Sequence, residues 1–315
     1  MTSTSGLVSR LATTVVGRGR ELEVVLAALD AGRHVLLEGP PGTGKSTLLR
    51  AIAEATGQGF EFVEGNAELT PARLVGHFDP ALVLSEGYSE KVFVDGPLVA
   101  ALRAGALLYV EELNRVPEDT LNTLITVMSE GELHVPRLGR IVAEPGFHLV
   151  AAMNPFDAVG TARISSAVYD RCCRLVVDYQ SAPDEARIVE ATLTAEGTPG
   201  APDDEWQRRM VEVVRRTRTH PDVRVGSSVR GAIDATLVAA SLSRLRGLTT
   251  VDDGVTLDAA LVAEVFAAPA PPAEGAPGPD GGGTTPDGTG TDGRPPGARG
   301  GAEPGKPDAP QARRG

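Results

Sequence analysis

The stretch Val35-Leu36-Leu37-Glu38-Gly39-Pro40-Pro41-Gly42-Thr43-Gly44-Lys45-Ser46-Thr47 is an apolar run that breaks into a glycine-rich loop ending in lysine and two hydroxyls. Residues Gly39 to Ser46 satisfy the pattern G-x-x-x-x-G-K-[ST] in full. The spelling has a physical reason. Glycines let successive backbone N–H groups turn inward around the β- and γ-phosphates, Lys45 brings a cation to them, and the Ser46 hydroxyl is placed to ligate magnesium. The apolar residues before the loop read as a short buried strand, and a helix starting near Gly44 adds its positive N-terminal dipole. The expectation is a nucleoside triphosphate site with Mg2+, contacted by Gly39, Pro40, Pro41, Gly42, Thr43, Gly44, Lys45, Ser46 and Thr47.

Outward from this loop, short apolar runs alternate with helical patterns. His34–Glu38, Phe60–Glu64, Leu107–Glu111, Phe147–Asn154 and Leu175–Val177 read as strands, with helices over Lys45–Thr56, Pro97–Ala104 and Glu118–Glu130. Such alternation predicts an α/β fold, a parallel sheet wound on both faces, with ligands at the carboxyl ends of its strands. After about Asp178 the strand-type runs stop. Helical patterns follow over Pro183–Thr192, Glu205–Arg218, Ser228–Arg244 and Leu257–Ala267, which predicts a small all-helical lid domain. From Pro269 to Gly315 there is no aromatic residue and no Leu, Ile, Val or Met. With no apolar surface to bury, that tail is expected to be disordered. The organisation read from the sequence is a leader over 1–14, a nucleotide-binding domain over 15–178, a lid over 179–268 and a tail over 269–315.

Composition limits the function classes. At 315 residues, 41% of them hydrophobic, the chain can bury a large core. No apolar run approaches the roughly 18 residues of a membrane span, and the first ten residues lack a secretory apolar core, so the cytoplasm is the expected compartment. Cys172 and Cys173 are the only cysteines; sequence neighbours rarely pair, so both are expected reduced. His77, His134, His148 and His220 show no metal-ligand spacing. The tail carries six acidic against five basic residues, so the net charge of −12 falls on the remainder. An acidic folded part argues against a nucleic-acid surface.

Hydrolysis needs acids at the end of a neighbouring strand, one near magnesium and one to activate water. Leu107-Leu108-Tyr109-Val110-Glu111-Glu112 supplies two. Adjacent carboxylates repel, so their placement at a strand end beside a cationic loop points to a site.

Taken together, Val16-Gly17-Arg18, Gly39–Thr47, Phe93-Val94-Asp95-Gly96-Pro97-Leu98, Val110-Glu111-Glu112-Leu113-Asn114-Arg115 and Ala152-Met153-Asn154-Pro155 resemble the AAA+ ATPases and, more narrowly, the MoxR family. The resemblance covers residues 15 to about 267. It implies that Glu112 activates water, that Glu111 stands at the magnesium-side acid where the family has Asp, and that Asn154 senses the γ-phosphate or water. Val15 and Val16 would flank the adenine. Arg171 matches the arginine that reaches the next subunit's nucleotide, with Arg163 and Arg174 as rivals. Arg230, in Val225-Gly226-Ser227-Ser228-Val229-Arg230, matches a second sensor carried by the lid, although Val229 stands where the family has proline.

The resemblance further implies a homo-oligomeric ring, a hexamer, that remodels a client alongside a von Willebrand factor A domain protein. A hairpin over Glu132–Val142 would present Arg137 and Arg140 to a substrate. Two other readings are a slowly hydrolysing ATP-bound scaffold, and a nucleic-acid motor, which the acidic core disfavours.

Overall fold

The computed structural model describes residues 4–155, 164–223, 226–248 and 251. Chain order is α1 (Thr4–Thr14), α2 (Gly19–Asp30), β1 (His34–Glu38), α3 (Lys45–Thr56), β2 (Phe60–Glu64), α4 (Pro71–Val75), β3 (Gly76–Phe78), α5 (Pro80–Glu86), β4 (Phe93–Asp95), α6 (Pro97–Ala104), β5 (Leu107–Glu111) and α7 (Glu118–Glu130). There follow β6 (Glu132–Val135), β7 (Gly139–Val142), β8 (His148–Met153), α8 (Ser166–Tyr169), β9 (Cys172–Val176), α9 (Ala182–Ala195), α10 (Asp204–Thr217) and α11 (Val229–Leu245).

Five strands form one parallel sheet in the order β2-β5-β8-β1-β9. The central strands are apolar between their ends, at Val35–Leu37, Leu107–Val110 and Leu149–Met153, because both faces are covered. Alternate side chains divide between two cores. Leu36, Leu108, Val110, Leu149 and Ala151 pack under Leu98 and Leu102 of α6 and Leu121 and Leu124 of α7. Val35, Leu37, Leu107, Tyr109, Val150 and Ala152 pack under Leu22 and Val25 of α2 and Leu48 and Ile52 of α3. The doubly wound sheet expected from the alternation is present, and β1, β2, β5, α3, α6 and α7 have the bounds read from the sequence.

Three differences have local causes. The run read as a strand over Leu175–Val177 starts earlier, at Cys172, because Cys172 pairs with His34 and Arg174 interrupts the apolar pattern of this edge strand. The segment read as a leader carries α1, whose Leu11 lies in the core under α2, and α2 itself was not anticipated. Between β2 and β5 the chain makes an extra antiparallel pair, β3 with β4, each of three residues and so too short for an alternating pattern to be recognised.

Beyond β9 the described chain is helical. Helices α9, α10 and α11 close on Val189, Leu193, Val211, Val214, Val229 and Ala232, with Trp206, Met210, Ala235 and Ala239 forming a second cluster. Each starts at a side-chain cap that satisfies a free N–H of the first turn: Ser181 accepts from Asp184 N, Asp203 from Trp206 N and Ser228 from Arg230 N. Glu185, 1% exposed, ties the unit together by accepting from Arg215 at 3.0 Å and Arg218 at 2.7 Å. The helix expected over Leu257–Ala267 and the tail from Pro269 lie outside the described residues. No described helix is long and apolar enough to cross a membrane.

Candidate nucleotide site

The loop between β1 and α3 turns through left-handed backbone at Gly42 (φ 73°) and Gly44 (φ 82°), conformations that other L-residues rarely adopt. Gly39 is required for another reason: a Cβ there would lie 1.9 Å from the Val177 carbonyl oxygen at the end of β9. Lys45 is buried and folds along its own loop, donating to the carbonyls of Gly39 (3.1 Å) and Pro40 (2.8 Å) and to Thr43 Oγ1 (3.3 Å). Burial pulls its pKa down to about 8; Glu111 opposes the shift, while the Arg18 and Arg230 charges add to it. Three cations thus converge on a glycine loop, the electrostatics of a polyanion site.

At the carboxyl end of β5, Glu111 Oε1 accepts from Ser46 Oγ at 3.1 Å, and Tyr109 OH lies 3.3 Å from the same hydroxyl. Burial raises the Tyr109 pKa, keeping a neutral phenol beneath Ser46. The longer side chain at position 111 reaches the loop, so the extra methylene is absorbed by folding toward Ser46. Two hard oxygens this close suit a magnesium ion, which would be held by Ser46 and Glu111 and would supply charge neutralisation at phosphate oxygens. Glu112 has φ 52°, a left-handed conformation unusual for glutamate, and pairs with Arg115 at 3.0 Å. Such local strain clusters at functional positions. Asn154 follows β8, and its carbonyl accepts from the buried Asn114 Nδ2 at 3.4 Å. Strands β1, β5 and β8 are neighbours, so the loop, Glu111, Glu112 and Asn154 stand at one edge of the sheet.

The helical unit closes over this edge. A Cβ on Gly42 would meet Ser228 Oγ at 2.2 Å and Arg230 Cδ at 4.0 Å, which brings the start of α11 against the loop. Between them lies a cleft of 470 Å³ bounded by Val15, Val16, Arg18, Gly44, Thr47, Gln180, Ile188 and Arg230 among others. Val15, Val16 and Arg230 therefore share one cavity with the loop. Val225 lies outside the described residues.

The three candidate trans arginines have different surroundings. Arg171 precedes β9, at the amino end of the sheet, and donates to Ser129 Oγ and the Ala167 carbonyl. The five residues of β9 lie between it and the level of Gly39, six rises of about 3.3 Å or roughly 20 Å. Arg174 binds the carboxylate of Glu38, which is 2% exposed. Arg163 lies outside the described residues. The hairpin over Glu132–Val142 is present as β6 and β7; Arg140 pairs with Glu132 across it, and Arg137 sits 3.9 Å over the Tyr88 ring. Cys172 and Cys173 are free thiols, and burial pushes Cys172 up to about 12, which leaves it an inert thiol.

Three residues of this site were not assigned a contact from sequence. Arg18 is 3% exposed and donates to the carbonyls of Thr43 (2.8 Å) and Asp178 (2.5 Å), clamping the loop to the end of β9. Tyr109 supports Ser46 from inside an apolar run. Gln180, 7% exposed, has its Oε1 buried without a hydrogen-bond partner. Only for Arg18 was a signal available, an arginine immediately after Val16-Gly17, and it carried no geometry.

Residues 34–172 match the AAA domain of the dynein-related subfamily. The chain is 31% identical over 253 residues to the gas vesicle ATPase GvpN of Haloferax mediterranei, covering 75% of this chain and 67% of that protein. It is 29% identical over 248 residues to the uncharacterized protein YeaC of Bacillus subtilis, covering 72% and 74%. Among solved structures it is similar to the RuvB Holliday junction branch migration motor of Thermotoga maritima, with a TM-score of 0.52 and 15% identity over 77% of this chain and 67% of that one. At that identity the likeness is one of fold.

Proposed function

This chain belongs to the AAA ATPases, in the dynein-related subfamily, and from that premise we propose that it is a MoxR-type, magnesium-dependent ATPase that works as a ring, a hexamer, to remodel or mature a partner protein. The observation that carries the reading is the Ser46–Glu111 contact at the end of β5, beside the loop that bears the buried Lys45, whose charge Glu111 favours, with Glu112 and Asn154 at the ends of β5 and β8. Residues 15–178 bind the nucleotide in this reading, and 179–268 act as its lid. Lys45 holds the phosphates, Glu112 takes the proton of the attacking water, Asn154 orients that water or the γ-phosphate, and Arg230 reports the phosphate to the lid.

Charge placement supports the ring. Arg171 stands roughly 20 Å along the sheet from its own loop, too far to neutralise charge developing there. A neighbouring subunit can present the same arginine to that loop, and a guanidinium fork at the transferred phosphoryl is worth orders of magnitude in rate. The client is proposed to be a protein, with a von Willebrand factor A domain protein as a second partner. The similarity to a gas vesicle ATPase supports an ATPase reading without naming the client of this chain. The acidic folded part makes nucleic acid the less favoured cargo.

The test mixes two variants. Lys45→Ala and Arg171→Ala subunits are each expected to be inactive alone. Mixed, they recover part of the turnover if the arginine acts across an interface, because some interfaces then combine an intact loop with an intact arginine. Mass determination over the same concentrations reports the ring. Full activity of Arg171→Ala, or no recovery on mixing, would overturn the trans assignment.

A further inference from the structure

Strand β5 runs through Leu107, Leu108, Tyr109 and Val110 into Glu111, and one of those four core side chains carries a hydroxyl. Tyr109 is fully buried, with Phe60 and Phe62 of β2 against its ring at centroid distances of 6.1 Å and 5.7 Å. A phenol in such a place costs free energy unless its hydroxyl is hydrogen-bonded, and leucine or phenylalanine would fill the position without that cost. Alternate strand residues share a face, so Tyr109 and Glu111 both approach α3, whose first turn carries Ser46.

Counting protons gives the direction of each hydrogen bond in this group. Ser46 Oγ lies 3.1 Å from Glu111 Oε1, and a carboxylate only accepts, so the single Ser46 proton belongs to that bond. Tyr109 OH lies 3.3 Å from Ser46 Oγ. With the serine proton occupied, the phenol has to be the donor there, and the Glu111 carboxylate is its other acceptor in reach. The Ser46 oxygen then has one lone pair taken by Tyr109 and one left for a ligand. Glu111 also has one more rotatable bond than an aspartate, so a carboxylate of this length needs outside contacts to hold it beside the loop. The Tyr109 ring, fixed by its packing against β2, provides a rigid one.

We propose that Tyr109 is a positioning residue for the metal side of the site: its phenol donates to Ser46 Oγ and fixes that hydroxyl with its proton on Glu111 and its free lone pair available to magnesium. The site thereby binds the metal–nucleotide pair more tightly than an apolar residue at this position would allow. This rests on the nucleotide and magnesium reading given above. Being fully buried, Tyr109 acts through Ser46 and Glu111 and meets neither nucleotide nor ion itself.

The experiment is calorimetric titration of the full chain with β,γ-imido-ATP, which is not hydrolysed, in magnesium and in EDTA, for wild type, Tyr109→Phe and Tyr109→Met. The quantity read is the magnesium enhancement, the ratio of the two affinities; chelation of magnesium by the free nucleotide is common to all three proteins and cancels between them. Wild type should bind the analogue more tightly in magnesium. Tyr109→Phe keeps the ring, so its metal-free affinity should match wild type while the enhancement falls about five- to tenfold, the size of one hydrogen bond. Tyr109→Met, which fills the position without a ring, should lower the enhancement by the same factor. A wild-type enhancement in Tyr109→Phe overturns the proposal, as does a fall confined to Tyr109→Met, which would report ring packing and not the hydroxyl. Equal losses of affinity with and without the metal overturn it too, since they place the effect on the loop as a whole. Wild type that binds equally well in magnesium and in EDTA removes the proposal and the magnesium assignment while leaving nucleotide binding intact. Failure of wild type to bind under both conditions sinks the nucleotide reading and this proposal with it.

Discussion

Replacing Arg174 by alanine separates the part of the arginine cluster that holds the fold from the part assigned to hydrolysis. Arg174 Nε and Nη2 both reach the same oxygen of Glu38, and Glu38 is 2% exposed at the last position of β1, directly before the phosphate loop. Removing the guanidinium leaves a buried carboxylate without its cation. Breaking a buried pair from one side costs about 3–5 kcal/mol. Arg174 is itself 58% exposed, so water can take over part of its role, and the expected loss is about 2–3 kcal/mol. For a folded part of this size each kcal/mol moves the midpoint by about 2–4 °C, so the melting temperature should fall by roughly 5–10 °C. Arg171→Ala removes hydrogen bonds to Ser129 and Ala167 and should cost no more than about 1 kcal/mol. Urea unfolding and thermal melts of both variants give these numbers, and turnover at 20 °C gives activity. The double variant Glu38→Met/Arg174→Met should recover most of the loss, since the carboxylate leaves with its partner. An unchanged midpoint in Arg174→Ala, or a double variant as unstable as the single one, would refute the reasoning; lost turnover at an unchanged midpoint would move the trans assignment from Arg171 to Arg174.

Three further outcomes are expected. Gly39→Ala places a methyl 1.9 Å from the Val177 carbonyl oxygen, so the loop or β9 must shift, at about 3 kcal/mol in a urea titration together with loss of ATP binding. Glu112→Gln should bind ATP with unchanged affinity in calorimetry while steady-state turnover falls by about 10² or more, and weakened binding would contradict the water-activating role. His34 accepts from Leu149 N at 2.9 Å, and burial, with the nearby His148, lowers its pKa to about 4. Between about pH 4 and 6.5 the unfolded chain therefore binds more protons, stability rises with pH across that window, and acidification from pH 7 to 5 should cost about 2 kcal/mol. His34→Gln keeps an acceptor and should flatten that slope in melts taken across the range.

The sheet was legible because its chemistry is local. β1, β2 and β5 are short apolar runs ending in acids or glycine, and Lys45–Thr56, Pro97–Ala104 and Glu118–Glu130 are bounded by glycine or proline signals that stop a helix from spreading. Leu22, Val25, Leu26 and Leu29 follow the helical period equally well, so α2 is legible on the same ground. The pair β3–β4 was not, because three residues carry no period. In the site, a motif spells out which residues stand on the loop and at the strand ends, but not what they touch. The Arg18 clamp joins positions 18, 43 and 178, the Arg174 pair joins 174 and 38, and Gln180 meets the loop at Gly44. Each depends on the sheet order, which brings β9 beside β1 across more than a hundred residues of intervening chain.

The two ends of the short connection after β9 are tied to different partners. The carbonyl of Asp178 is held by Arg18, which also holds the loop at Thr43, so this end belongs mechanically to the sheet. One residue later the ring of Tyr179 lies 3.9 Å under Arg218, and the carbonyl of Gln180 is held by Arg215, both arginines being anchored on Glu185. The fulcrum for any swing of the three helices is thereby narrowed to the Asp178–Tyr179 link. A lever pivoted there moves least at Gln180 and most at the far ends of α10 and α11, so a displacement too small to open the cleft would still be magnified where those helices face outward.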